Sequence, residues 1–256
     1  TLSTLKYRKA SLMDAIPNKL LINLADVLAA PIAALVNSSI RTGCIPREWK
    51  ISRVTLIPKV NPAFRVETDI RPISISCPIA GVAERIISRH FDEHFTPRQD
   101  PNQFGVTRDR STVLALVKLC HILFTASDDC CNYIRILFID FTKAFDLIDH
   151  NVLLLNKFVD YEFPLWLKTW SLSFLHERSQ FVKAGDIAAS VMTINAGAPQ
   201  GTRAGGNSFK LLINALNCST HCIKYVDDVT MATVLSDPLD GRMQSAFEDL
   251  TEWVHV

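Results

Sequence analysis

The chain has 256 residues, 48% of them hydrophobic and 21% charged, with a formal net charge of +1. That is enough apolar material for one large or two small packed domains, and it excludes a chain disordered by composition. The near-neutral balance excludes a uniformly basic nucleic-acid coat, and no apolar run reaches the roughly 18–20 residues of a membrane span.

The first residues, TLSTLKYRKA, lack the apolar centre of a secretion signal. Residues 20–41 read as a helix, ended by Gly43 and Pro46. From Arg41 to Arg71 seven cations face three acids, a locally basic arm that suits phosphates or a solvated face equally. Within it, residues 53–58 alternate and are β-branched, as a strand requires, and DIRPISIS is a second extended piece because Pro72 keeps Arg71 out of helix. Helices are expected at 79–95, stopped by Pro97, and at 112–126, starting near Arg110 or Ser111. YIRILFID, 133–140, is a buried-type strand ending in a carboxylate, with a helix expected from about Asn151. Then come a helix at 165–175, paired strands in SQFVKAG and SVMTINA, and a helix over 202–216. CIKYVDD and VTMATVL form a strand pair, and a helix over 242–254 closes the order. The mixture is α+β, with helices on one face of a sheet.

Seven cysteines, an odd and scattered set, read as reduced thiols of an intracellular protein. CSTHC offers Cys218, His221 and Cys222, three local ligands without a matching second cluster, so ordinary thiols are preferred to zinc.

Asp227 and Asp228 sit side by side in a strand-like run, KYVDDVTM. Adjacent carboxylates repel, and burial raises their pKa. Solvent, a basic partner or a divalent cation can resolve this, and the flanking Tyr225, Val226 and Val229 argue against free solvent. Asp140 ends its strand in the same manner. If the two strands are neighbours, Asp140 and Asp227 converge, and carboxylates are preferred ligands of Mg²⁺.

LFIDFTKAFDLIDH, GAPQGT and YVDD, in that order, resemble the reverse transcriptases of non-LTR (LINE-like) retrotransposons. LIPKV, DIRPISIS, ERIISRH and NQFGVTRDRST upstream are similar to that family's early segments, so the resemblance runs from about Trp49 onward. It implies a right-hand polymerase: an antiparallel palm sheet with helices packed on one face, plus a fingers subdomain. Residues 1–48 would be a helical extension, 49–132 fingers and early palm, and 133–256 the palm.

The resemblance further implies an RNA-directed DNA polymerase that extends a DNA primer on an RNA template with dNTPs. Asp140, Asp227 and Asp228 would be the catalytic residues and would hold two Mg²⁺ ions, with Mn²⁺ as a substitute. Lys59 and Arg71 would clasp the triphosphate, although Lys59 also reads as a plain surface charge. Phe145 would exclude a 2′-hydroxyl, or else serve as core. Gln200 and Gly201 would contact sugar or template, or else simply open a helix. Asp146, Asp149 and His150 would cap and turn the chain near Asn151. Membrane partners are not expected; cytoplasm and nucleus are. Oligomeric state is left open.

Departures are specific. RAGGNSFKLLIN follows GAPQGT where an apolar helix is usual, placing Asn207 and Lys210 at apolar positions. Val106 and Thr107 replace a common Phe-Arg. The chain also starts without Met and ends in mid-pattern, so it reads as a piece without thumb or endonuclease. A decayed remnant that retains the fold and binds RNA is therefore the alternative, and a metal-dependent nuclease a more distant one.

Overall fold

The computed structural model describes residues 2–6, 16–128, 132–150 and 157–254. In chain order the elements are α1 (Asn18–Asn23), α2 (Ala25–Thr42), α3 (Arg47–Lys50), β1 (Ile51–Pro58), α4 (Val66–Asp69), β2 (Ile70–Ile75), α5 (Pro78–Phe95), α6 (Thr112–Ser127) and β3 (Tyr133–Asp140). There follow α7 (Phe158–Asp160), α8 (Leu165–Leu175), β4 (Arg178–Ala184), β5 (Ile187–Ala188), β6 (Met192–Ile194), α9 (Arg203–Ile213), β7 (His221–Tyr225), β8 (Asp228–Leu235) and α10 (Arg242–Val254). The fold is α+β. The helix expected near Asn151, and Cys130 and Cys131, lie outside the described residues.

The chain divides into two compact units that interleave in sequence. One comprises Thr1–Pro97 with Phe145–Ser208, the other Arg98–Ala144 with Phe209–Val256.

The first unit is built on a sheet of order β2-β1-β4-β5, with β6 also on β4. β1 is antiparallel to β2 and parallel to β4. The strand pair expected around residues 179–196 forms as β4 and β6, antiparallel, with Arg178 opposite Ile194. α5 opens with Pro78 in its first turn, where the missing N–H costs nothing. It buries Ala80, Ala83, Ile87, Phe91 and Phe95, a stripe at helical spacing. Phe91 stacks on Phe95 and Phe163 at 5.1 and 5.0 Å between centroids, and Trp170 of α8 on Phe174 at 5.3 Å. Each such side chain is worth about 1.5–3 kcal/mol in burial. The Trp170 Nε1–H donates to Ser39 Oγ of α2 at 3.2 Å.

The single helix expected over 20–41 is two, because Leu24 leaves helical geometry at φ −105°, ψ 22°. Its end is as expected: Gly43 takes φ 67°, and a Cβ there would lie 2.5 Å from Thr169 Cγ2.

The second unit holds a three-stranded antiparallel sheet, β3-β8-β7. Along β8, Val229, Met231, Thr233 and Leu235 are buried at every second position. α10 buries Met243, Ala246 and Leu250, and the Thr233 hydroxyl lies 3.8 Å from Met243 Sδ. α6 is capped by Ser111, whose side chain accepts the Leu114 N–H at 3.3 Å.

Candidate active site

The second unit carries the three aspartates. In the β3–β8 ladder Asp140 pairs directly with Asp228, and in the β7–β8 ladder Tyr225 pairs with Asp228. Val226 and Asp227 therefore make a two-residue turn. Asp227 lies in that turn, whereas Asp228 is the first residue of β8. Residues directly opposed in a ladder project from the same face, so Asp140, Asp228 and Tyr225 share one side of the sheet. Ile139, Val229 and Lys224 share the other.

Asp140 and Asp228 are exposed and Asp227 is half-buried. The Asp228 carboxyl is held above its ordinary range, first by partial burial, then by the negative charges of Asp227 and Asp140. None of the ion pairs found among the described residues involves these three carboxylates. Lys224, their neighbour in sequence, is turned to the core side and is 1% exposed. Its Nζ lies 2.7 Å from Asp100 Oδ2 and donates to the Ile213 carbonyl at 3.1 Å and to the Leu216 carbonyl.

Among the described residues no three His, Cys, Asp or Glu side chains already converge as a metal-ligand set. The donor chemistry nevertheless fits a hard divalent cation: carboxylates without a cationic partner, two of them opposed on one sheet face, whose mutual repulsion a cation relieves.

The other residues singled out from sequence lie in the first unit. The N–H of Ser74, on β2, donates to the Gln200 carbonyl at 2.9 Å. Gly201 takes φ 94°, and a Cβ there would meet Ile73 Cγ2 at 3.2 Å, so the turn lies close against β2. On its other side the Ala198 N–H donates to the Phe145 carbonyl at 2.7 Å and the Gly197 N–H to the Ile148 carbonyl at 2.8 Å. The His150 ring donates Nε2–H to the Gly197 carbonyl at 2.6 Å. The backbone thus ties Phe145, the Gln200–Gly201 turn and the strand of Arg71 together. Phe145 is half-buried, while Arg71 is exposed opposite Ile57 in the β1–β2 ladder. Lys59 is exposed just beyond β1, its N–H donating to the Asp69 carbonyl at 2.7 Å.

Residues 57–255 match the family described as reverse transcriptase (RNA-dependent DNA polymerase). The chain belongs to the reverse transcriptase family.

Three Drosophila melanogaster relatives agree. The probable RNA-directed DNA polymerase from transposon BS is 26% identical over 219 residues, 85% of this chain and 24% of that protein. The RNA-directed DNA polymerase from mobile element jockey is 28% identical over 241 residues, 92% and 26%. The probable RNA-directed DNA polymerase from transposon X-element is 28% identical over 176 residues, 67% and 19%. The likeness is to reverse transcriptases of the non-LTR, LINE-like kind, and the chain spans about a quarter of the length of the first two.

Within this reverse transcriptase chain, residues unusual for the family pattern have partners. Asn207 donates to Ser88 Oγ at 3.1 Å, and the buried Lys210 reaches the Val106 carbonyl at 3.5 Å. Gly205 in α9 is required there: a Cβ would sit 2.4 Å from the Pro199 carbonyl oxygen. Thr202 caps α9, accepting the Gly205 N–H at 3.1 Å.

A second cap comes from Glu84 of α5, which is 3% exposed and was not singled out from sequence. Its Oε2 accepts the Arg203 and Ala204 N–H groups at 2.9 and 3.1 Å, at the dipole-positive end of α9. Glu84 also opposes the fall in pKa, to about 10, that burial imposes on Arg178. A charge on the core stripe of a helix was the available signal. In CSTHC, Cys222 is buried and hydrogen-bonded to Cys218; that bond, followed by burial, pushes its thiol up.

Proposed function

We propose that this chain carries the nucleotidyl-transfer centre of an RNA-directed DNA polymerase, which extends a DNA primer on an RNA template with dNTPs. In this reading residues 49–132 are fingers and early palm, and 133–256 the palm of a right-hand polymerase. The single observation that supports it most is the direct pairing of Asp140 with Asp228, beside a turn carrying Asp227, on strands distant in sequence.

Asp140 and Asp227, with Asp228 completing the anionic cluster, would hold two Mg²⁺ ions. When bound, these supply Lewis-acid activation of the primer 3′-hydroxyl and neutralise charge on the α-phosphate and the departing pyrophosphate. The remaining roles belong to the chain's own groups. Arg71 grips triphosphate oxygens bidentately and Lys59 adds a point charge. The Phe145 ring fills the space a ribose 2′-hydroxyl would need. Gln200 hydrogen-bonds the sugar or the template backbone, and Gly201 permits close approach. As a retrotransposon enzyme it would work in cytoplasm and nucleus; among the described residues no helix is long and apolar enough to cross a membrane.

The test is Mg²⁺-dependent dNTP incorporation on an RNA template by the full-length protein. Asp227→Asn is expected to lower it by at least about 100-fold. Unchanged incorporation would reject the assignment. RNA binding without extension by the unaltered protein would favour a decayed remnant, and strand cleavage without dNTPs a nuclease.

A further inference from the structure

The turn that presents Asp227 and Asp228 is held in a conformation its own sequence disfavours. Val226 has φ 58°. A β-branched residue rarely adopts the left-handed region, and two-residue hairpin turns ordinarily place Gly, Asn or Asp at positive φ. Such a conformation persists only where its surroundings over-determine it.

Those surroundings are residues 99–107 of the same unit. Gln103 is 1% exposed, and its side-chain Oε1 accepts two N–H groups, Gly105 at 2.8 Å and Val226 at 3.3 Å. Gly105 lies flush on the turn: a Cβ there would be 2.4 Å from Val226 N and 2.5 Å from Val226 Cγ2. The two segments also exchange backbone bonds. The Phe104 N–H donates to the Lys224 carbonyl at 2.8 Å, and the Lys224 N–H to the Asn102 carbonyl at 2.9 Å. The clamp is itself braced. The Thr107 hydroxyl donates to the Gly105 carbonyl at 3.1 Å, and Gln99 Nε2 donates to that hydroxyl at 2.6 Å.

We infer that Gln103 and Gly105 are positioning residues for the Asp227–Asp228 turn: the amide oxygen of one and the missing side chain of the other hold Val226 at positive φ and so fix where the two carboxylates stand. The catalytic consequence rests on the polymerase reading; the conformational claim does not. Gln103 is buried beneath the turn and acts through its hydrogen bond to Val226.

The experiment uses the full-length protein. Hydrogen exchange at Val226 is compared in the parent, Gln103→Leu, which keeps the volume without the acceptor, and Gln103→Glu, which keeps the acceptor. Leu is expected to speed exchange at Val226 about tenfold, the loss of one hydrogen bond, while Met231 in mid-strand stays as in the parent. Glu should leave Val226 protected. Gly105→Ala, which drives a methyl into the turn, should speed exchange as Leu does and substitutes for it if Gln103→Leu does not fold. For polymerisation, Gln103→Leu is expected to lower kcat about tenfold or more with little change in KM for dNTP. Adding Val226→Gly should restore most of the rate, because glycine holds positive φ without a clamp. Unaltered Val226 exchange in Gln103→Leu or its substitute overturns the inference. So does failure of Val226→Gly to restore kcat in a doubly substituted protein that melts like the parent. If the parent does not polymerise at all, the polymerase reading falls, and the exchange measurement alone decides the positioning claim.

Discussion

Asp140 and Asp228 stand opposite each other across the β3–β8 ladder, like charges at a position where a cross-strand pair is stabilised by opposite ones. With Asp227 adjoining, folding gathers negative charge that the described side chains do not neutralise. The sheet would be more stable without this arrangement, and that cost can be measured.

The pH dependence has a definite sign. Asp228 has a folded pKa above its ordinary 3.8, so the folded chain prefers it protonated. Its favourable contribution is complete below the unfolded value and is lost as pH rises through the raised folded one. Asp228→Asn should therefore melt higher than the parent at neutral pH, and the gap should close as pH falls through the carboxylate range. Thermal melts from acid to neutral pH, without divalent ions, check this.

A divalent cation should reverse the penalty. Mg²⁺ at about a hundredfold excess over its dissociation constant would add about 2.7 kcal/mol to the parent. Asp140→Asn and Asp228→Asn should lose most of this gain. Melting with Mg²⁺ against matched ionic strength with Na⁺ is the measurement. An equal rise in all three proteins would show that the cation acts elsewhere.

Glu84 offers a prediction far in sequence from the carboxylates. Glu84→Ala removes the acceptor for two N–H groups of α9 and should cost about 1–2 kcal/mol by urea denaturation. Glu84→Gln keeps an oxygen acceptor without the charge and should cost less. Equal losses would mean that the charge, not the hydrogen bonding, is what α9 requires.

Phe145 is half-buried, and its carbonyl is fixed by the Ala198 N–H. Phe145→Val should leave that backbone bond in place while shortening the side chain. Incorporation of ribonucleotides relative to deoxynucleotides is expected to rise at least about tenfold, since a lost steric barrier of about 1.4 kcal/mol suffices. Primer extension with each nucleotide type reads it directly. An unchanged ratio would return Phe145 to a packing role.

Elements with strong local signals were legible in the sequence. The YIRILFID strand, α5 and the Gly43 stop all formed near their expected bounds because a β-branched and aromatic run, apolar residues at helical spacing and a left-handed Gly act locally. The strand expected to be of the buried type, however, lies at the edge of its sheet and leaves Tyr133, Ile136 and Phe138 exposed. The ordered motifs made the family legible as well. What could not be read was pairing between segments far apart in the chain. Nothing in SRVTLIPKV announces that β1 lies parallel to β4, and nothing in YVDD shows that Val226 takes positive φ or that Gln103 holds it. Glu84, Gln103 and Lys224 each place a polar group in a buried position, and their partners come from distant segments that only the folded chain reveals. Strand alternation sets Lys224 on the face away from Asp228, but its partner Asp100 could not be read from the sequence.

The interleaving of the two units bears on synthesis. Emerging N-terminus first, β3 leaves the ribosome with Ile136 and Phe138, both still exposed in the finished structure, long before β8 exists to pair with it. The entire 145–208 stretch, destined for the other unit, must come out in between. An apolar strand with open edges would thus be presented to the cell throughout that interval, and a nascent chain stalled before residue 228 is a natural client for holding chaperones.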